Sequence, residues 1–352
     1  MEEVWREEAS SPAQVEAALR AAVRRRGGGD ESRPLMAPAR VLNLVAIVDA
    51  DRRGEIENRL RRIGRLHPSR LIVCAVQEGR PRVAVRGGVG ADDARRVRGG
   101  VAVGYERVEI TLGPSHLSTL DSIVDLLLAP ELTTMVWSPH GHEDGIDALR
   151  RLSQVVLIDS HDDPDPAVAL ARAGDLAHDT YVVDLAWLRS TPWRERVAAV
   201  FDPVDMRPDL ESITGVTVRH RGDSRVTALL FTGWLSSRLR WRPSRLSESH
   251  GALRGHLQAG AREVGIRLQT VDTEPPGLEG VTIQMGSGAS VSLDRAPGGL
   301  RTTRRRPPGP ERVGTLLGAS RGEPGILGEG VRQALLRDPT YGPALRSAGV
   351  MV

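Results

Sequence analysis

Residues 41–48 read VLNLVAIV, a continuous apolar run that only Asn43 interrupts. Such a run is typical of a strand that is covered on both faces, as in a parallel sheet between layers of helices. Residues 51–65 follow as an amphipathic helix, and a second apolar run, LIVCAV, occupies residues 71–76. Together the three segments predict a βαβ unit with two parallel strands and a right-handed crossover.

Composition and pattern divide the chain around this unit into an N-terminal segment and two domains. Residues 1–38 are predicted to form a helix that begins near Ser11, followed by a flexible linker rich in arginine, glycine and proline. Strands and helices alternate over residues 39–163, which predicts an α/β domain with a mostly parallel sheet flanked by helices. The stretch HDDPDP at residues 161–166 marks its end.

Residues 164–352 have a different rhythm. They begin with a helical region at residues 167–200, and short alternating strands joined by glycine-bearing turns follow at residues 264–293. A further helix is expected over residues 328–337. This order predicts an α+β domain with an antiparallel sheet.

The charged residues exclude several classes of protein. The 48 basic residues, all of them arginine, balance 45 acidic ones to a net charge of +3. Because the two signs are interspersed and no aromatic stacking platform is visible, a nucleic-acid partner is not expected. No apolar stretch is as long as a membrane span, and the acidic N-terminus lacks a secretory signal, which favours a cytoplasmic protein. Cys74 is the only cysteine, in the second apolar run, and is expected to be a buried, inert thiol.

Two short motifs offer sites for small ligands. His140, His142 and Asp144 follow a predicted strand and resemble the first zinc-ligand cluster of metal-dependent hydrolases, but Gly145 stands where the next histidine is needed. Ser69 and Arg70, or the arginines at residues 304–306, could contact the phosphate of a sugar phosphate. The alternative interpretations are a polar surface loop for the histidines, a helix end for Arg70 and a solvated turn for residues 304–306.

Motifs of catalysis and of cofactor binding are missing from the sequence. The first strand is followed by DADRRG at residues 49–54, which lacks the glycine fingerprint of a dinucleotide-binding loop. There is no Walker loop, no nucleophile elbow and no Cys–His pair. The sequence therefore predicts neither a catalytic centre nor a cofactor.

The scarce aromatic residues indicate where a partner could dock. Aromatic residues make up only 3% of the chain, yet Trp187 and Trp193 lie close together with Arg189 and Arg194. Tryptophan and arginine are the residue types most enriched at interface hot spots, although core filling also explains most tryptophans. We therefore predict a docking surface from these four residues, with Trp137 at the end of a buried strand as a fifth candidate.

Four stretches, taken in order, resemble the OpcA family of glucose-6-phosphate dehydrogenase assembly proteins. They are ARVLNLV at residues 39–45, HPSR at 67–70, LLLAPEL at 126–132 leading to Val136 and Trp137, and DLAWLR at 184–189 followed by TPWR at 191–194. The resemblance implies an α/β domain, an α+β domain and a non-catalytic bacterial protein of the oxidative pentose phosphate pathway. Its implied role is to bind the dehydrogenase and act as an assembly factor or allosteric activator.

The chain departs from this family's pattern in two places. Ser138 stands where a second tryptophan often follows Trp137. Some members are associated with redox control through cysteines, whereas Cys74 alone cannot form an internal disulfide. Control through contact with the partner is therefore favoured over a thiol switch. A metal-dependent hydrolase and a sugar-phosphate-sensing module remain the alternative functions.

Overall fold

The computed structural model describes residues 3–9, 13, 14, 17, 18, 21, 41–64, 69–92, 103–317 and 322–352. The chain forms two compact units. Unit 1 comprises Met1–Ile158, Asp179–Val183 and Gly330–Leu336. Unit 2 comprises Asp159–His178, Asp184–Glu329 and Arg337–Val352. Both units are therefore built from discontinuous parts of the chain.

The first sheet has eight strands. They are β1 (Glu3–Ala9), β2 (Leu42–Asp49), β3 (Ser69–Val76), β4 (Ala84–Asp92), β5 (Val103–Leu112), β6 (Thr134–Trp137), β7 (Val155–Ile158) and β8 (Tyr181–Asp184). Their spatial order is β1-β4-β5-β3-β2-β6-β7-β8. The pairs β5–β3, β3–β2, β2–β6 and β6–β7 are parallel, whereas β4 pairs antiparallel with both β5 and β1.

The last six strands of this order follow the arrangement of a doubly wound dinucleotide-binding domain. Numbered along the chain, β5, β3, β2, β6, β7 and β8 read 3-2-1-4-5-6, so the order reverses between β2 and β6. The helices α1 (Arg53–Gly64), α2 (Leu120–Val124) and α3 (Glu143–Leu149) belong to the same unit. The apolar residues of β2 and β3 that the sequence singles out form its core.

Asn43 is the polar exception in β2, and its hydrogen bonds explain why burial is tolerated. Its Nδ2 donates to the Ala129 carbonyl at 3.0 Å, and its Oδ1 accepts from the Ala129 backbone N–H at 3.1 Å. The side chain also bonds to Thr134 Oγ1 at 3.2 Å. A buried amide that is satisfied in this way ties β2 to the segment that leads into β6.

The second sheet also has eight strands. They are β9 (Ile213–His220), β10 (Ser247–Ser249), β11 (Ala252–Ala259), β12 (Arg262–Thr270), β13 (Leu278–Met285), β14 (Ser290–Ala296), β15 (Gly299–Arg305) and β16 (Arg312–Leu317). Their order is β10-β11-β12-β9-β13-β14-β15-β16. Every neighbouring pair is antiparallel except β12–β9, which is parallel.

Helices complete the chain around this sheet. They are α4 (Pro166–Asp179), α5 (Leu185–Arg189), α6 (Thr191–Phe201), α7 (Arg207–Glu211), α8 (Arg225–Leu239), α9 (Gly322–Gln333) and α10 (Tyr341–Met351). Helix α8 is buried along most of its length and packs against β9, β12 and α10. At Gly233 a Cβ atom would lie 2.2 Å from the Ala344 carbonyl oxygen, so only glycine permits this close approach of α8 and α10.

The prediction of a mixed α/β chain with two sheets is confirmed, while several elements differ from the expectation. Strand β1 was not predicted, and most of the expected N-terminal helix and linker lies outside the described residues, as do His67 and Pro68. The expected helical region at residues 167–200 contains β8, and the helix expected at 328–337 is α9, displaced toward the N-terminus. Strands β10, β11, β15 and β16 and helix α10 are additional findings.

Candidate functional site

The reversal of strand order in the first sheet is the place where open α/β sheets usually bind their ligands. Here the end of β2 is joined to the loop after β6. The Asp49 backbone N–H donates to His140 Nδ1 at 2.8 Å, and His142 Nε2 lies 2.9 Å from Asp49 Oδ1. The His142 backbone N–H donates to Ser138 Oγ at 2.9 Å, which gives Ser138 a structural role in this loop.

The lowered pKa of His140 agrees with the hydrogen bond that its Nδ1 accepts. Burial lowers the pKa of His140 below its usual value, although the Asp49 carboxylate opposes this effect. A neutral imidazole has one nitrogen free to accept a hydrogen bond, as His140 Nδ1 does from the Asp49 N–H. The cluster therefore closes the turn after β2 with groups that are already paired.

The residues of this turn do not fit a bound dinucleotide. A pyrophosphate needs glycines that allow close approach and backbone N–H groups that point at it. Asp49 and Asp51 place carboxylates here instead, and the Asp49 N–H is used by His140. The turn carries Asp51, Arg52 and Arg53 instead of glycines, so it lacks the glycine fingerprint that dinucleotide-binding domains have at this place.

The histidines do not form the metal site that the sequence motif suggested. Both histidines interact with Asp49. Asp144 lies instead in the first turn of α3, where its negative charge interacts favourably with the helix N-terminus. Across residues 41–64, 69–92, 103–317 and 322–352, no group of three or more His, Cys, Asp or Glu side chains could hold a metal ion. The metal-dependent hydrolase is therefore not favoured.

Arg70 is buried in an ion pair, and its role as a phosphate contact stays a prediction. Its Nε donates to Glu106 Oε2 at 2.8 Å, and its Nη1 donates to the Leu127 carbonyl at 2.9 Å. The side chains of Arg70 and Glu106 are only 2% and 1% exposed. Arg70 therefore holds β3 against β5, and Ser69 is half-buried at the start of β3.

The arginines at residues 304–306 do not converge on one anion either. Arg304 and Arg305 are consecutive in β15, so their side chains lie on opposite faces of the sheet. Arg306 follows the strand and forms an ion pair with Asp209. This arrangement gives no support to a sugar-phosphate-sensing site at this turn.

A second cluster, in unit 2, contains two of the predicted docking residues, Trp187 and Arg194. Trp187 Nε1 donates to Asp338 Oδ2 at 2.9 Å, and the Trp187 ring lies 5.5 Å from the ring of Tyr341. The guanidinium carbon of Arg194 lies 3.5 Å from the centre of the Trp187 ring, a cation–π contact. Arg194 Nη1 also lies 3.6 Å from Asp338 Oδ2. The tryptophan thus links α5, α6 and the approach to α10.

Asp184 fixes the position of α5 next to this cluster. Its carboxylate caps the helix by accepting from the Ala186 N–H at 2.9 Å, and it accepts from Ser160 Oγ at 2.6 Å and Tyr341 OH at 3.1 Å. Burial raises the pKa of Asp184, although the Ser160 hydrogen bond opposes the shift. Asp184 is thus the N-cap of α5.

The predicted docking residues lie in the cores of their units. Trp187, Trp193 and Trp137 expose only 2%, 3% and 3% of their surface. Arg189 is held by Asp159 through two hydrogen bonds of 2.7 Å, and Arg194 packs on Trp187. Their docking role stays a prediction, but side chains buried in this way would act through the surface residues that they support. The sequence pattern could not distinguish a buried Trp–Arg cluster from an exposed one.

The thiol of Cys74 is expected to be unreactive while the protein is folded. Cys74 is fully buried in β3, and burial raises its pKa to about 12. Because the thiolate is the reactive form, iodoacetamide at pH 8 should leave Cys74 unmodified until the chain is unfolded in urea. Mass spectrometry of the native and unfolded protein measures this difference. Full modification of the native protein within minutes would contradict the burial of Cys74.

Comparison with known proteins adds family relations to this geometry. A family model described as the glucose-6-phosphate dehydrogenase subunit N-terminal domain matches residues 60–175, and the corresponding C-terminal domain model matches residues 180–345. Together they cover most of the chain.

Within the described residues, none of the helices is long and apolar enough to cross a membrane.

Two cyanobacterial relatives carry the name "Putative OxPP cycle protein OpcA". The protein from Synechococcus elongatus is 30% identical over 142 residues, which are 39% of this chain and 32% of the relative. The protein from Synechocystis is 27% identical over 144 residues, 40% of this chain and 30% of the relative. The matched segment thus spans about a third of the length of these curated relatives.

One solved structure, an oxidoreductase from Sinorhizobium meliloti, shares the fold. It is 14% identical, with a TM-score of 0.50, and the superposition covers 89% of this chain and 95% of that chain. At this identity the likeness concerns the fold alone. It agrees with the strand order of the first sheet.

Proposed function

Because the chain belongs to the OpcA family of glucose-6-phosphate dehydrogenase assembly proteins, we propose that it binds this dehydrogenase and promotes its active form in the oxidative pentose phosphate pathway. The observation that carries this proposal is the match of both family domains, in order, over residues 60–175 and 180–345. We also propose that the chain acts in the cytoplasm.

The role proposed for the chain is non-catalytic. Its support comes from the turn after β2, where the paired Asp49 and His140 and the carboxylate of Asp51 do not fit a dinucleotide. The mechanism is one of linkage: a partner that binds the active conformation or oligomer more tightly than the inactive one shifts the equilibrium between them. The size of the shift is set by the difference between the two affinities.

Mixing the purified chain with the dehydrogenase of the same organism tests this proposal. We expect a complex of higher mass by light scattering. We also expect a saturable change in the initial rate, seen as a lower KM for glucose 6-phosphate or a higher kcat, because binding favours the active form. An unrelated protein of similar size and net charge is the control. The absence of both a complex and a kinetic change, over a range of pH and substrate concentration, would reject the proposed function.

A further inference from the structure

The second sheet has one apolar and one polar face, and its register places polar residues in a continuous row. Directly paired positions on six neighbouring strands share this face: Arg254, Arg267, Thr217, Thr282, Ser292 and Thr303. One step along their strands, Leu268, Val218 and Val281 point to the opposite face and are buried. We call the side with the polar row the polar face.

The polar face is partly exposed along its whole width. All six residues of the row are intermediate in exposure, whereas the apolar side of β9 and β12 is buried and α8 packs against these strands. The row ends beside Val313 of β16, which pairs with Thr303 and is 62% exposed. The polar face is therefore open to solvent at these positions.

Arg254 and Arg267 make this face unusual. They stand directly opposite each other in the register of β11 and β12, and like charges in that position destabilise a sheet. Among the described residues neither side chain has an ion-pair or hydrogen-bond partner, and the Nε atom of each is buried without an acceptor. Arg219 on the same face is different, because it bonds to Asp294 at 2.7 Å and to Thr282 at 3.0 Å.

Further positive charge lies on the same face of β15. Arg301 and Arg305 alternate with Thr303, so the three side chains share a side of the sheet, and both arginines are exposed. Neither has an ion-pair partner in the part of the chain that the structure describes. The polar face therefore presents four arginines without carboxylate partners, although the whole chain carries a net charge of only +3.

We propose that the polar face is the docking surface for an acidic patch of the dehydrogenase, an inference that rests on the proposed function. Carboxylates of that patch would pair with the guanidinium groups of Arg254 and Arg267, because a guanidinium and a carboxylate form charge-assisted hydrogen bonds. A second copy of the chain fits less well, since it would bring the same arginines against each other.

The test uses the full chain with Arg254→Gln and Arg267→Gln combined. We expect the Kd for the dehydrogenase to rise about tenfold or more and its dependence on salt to weaken, because two charge-assisted contacts are lost. The melting temperature should stay the same or rise, since a repulsive pair is removed. The matched control is Arg82→Gln with Arg238→Gln, which removes two exposed arginines outside the polar face and should leave the Kd within about twofold.

Four other results of this binding test would each reject a different part of the proposal. If the unmodified chain neither binds nor activates the dehydrogenase, the proposed function fails and the docking surface fails with it. If the unmodified chain binds and the double variant binds equally well, only the docking surface is rejected. Displacement of the dehydrogenase by inorganic phosphate but not by chloride at equal ionic strength would assign the arginines to a small anion. Loss of self-association with unchanged dehydrogenase binding would assign the face to a second copy.

Discussion

Replacing Glu106 by alanine is expected to lower the free energy of unfolding of unit 1 by about 3–5 kcal/mol, because it leaves the charge of Arg70 buried without its carboxylate. Both side chains are almost completely buried, so water cannot take the place of the lost partner. The hydrogen bond from Arg70 to the Leu127 carbonyl is not lost with Glu106, but a carbonyl does not neutralise the charge of a buried cation. Urea unfolding followed by circular dichroism measures the loss.

Two controls distinguish the effect of burying the Arg70 charge from the effect of losing an ion pair. Arg151 Nη2 and Asp121 Oδ2 are also 2.8 Å apart, but Arg151 is 84% exposed, so Asp121→Ala should cost less than about 1 kcal/mol. Combining Arg70→Met with Glu106→Leu should recover most of the stability, since an apolar pair of similar volume needs no charge partner. A loss below about 1 kcal/mol for Glu106→Ala would show that the pair does not support the core.

Truncating Trp187 to alanine is expected to cost about 3–5 kcal/mol in unit 2, the range for a large buried aromatic side chain. The change removes the hydrogen bond to Asp338, the face on which Arg194 rests and the ring contact with Tyr341. Thermal unfolding followed by tryptophan fluorescence and circular dichroism measures this effect.

Trp187→Phe is the matched variant, because it keeps part of the apolar contact while it loses the N–H donor and one ring of the indole. We expect it to cost about 1–3 kcal/mol, the penalty for leaving Asp338 with one hydrogen bond fewer. Its binding to the dehydrogenase should be unchanged, since the side chain is buried. A folded Trp187→Phe protein that no longer binds would instead support the docking role predicted from the sequence.

The sequence predicts the buried strands of unit 1 well and the second sheet poorly, for a physical reason. Strands β2 and β3 are mostly apolar on both faces, so their pattern is continuous and the sequence locates their ends within two residues. Strand β15 reads GLRTTRR and β1 reads EVWREEA. In such strands arginine, glutamate and glycine hide the alternation, and only pairing with neighbouring strands defines them.

The contacts that define the candidate sites join residues far apart in the chain. Arg70 meets Glu106, Trp187 meets Asp338, and His142 meets Asp49 rather than its sequence neighbour Asp144. Local spacing identified Trp187 and the histidines as notable but could not supply their partners. The unpaired arginines of the polar face were missed for the same reason, because only the register of β11 and β12 brings Arg254 opposite Arg267.

The close packing of α8 on α10 sets an order of events while the chain is being synthesised. Gly233 and its contact Ala344 are separated by more than a hundred residues, and a ribosome adds roughly 5–20 residues per second. After its synthesis, the face of α8 at Gly233 therefore lacks its packing partner α10 for roughly 5–20 seconds. During that interval a helix buried along most of its length in the folded protein is open to non-native association.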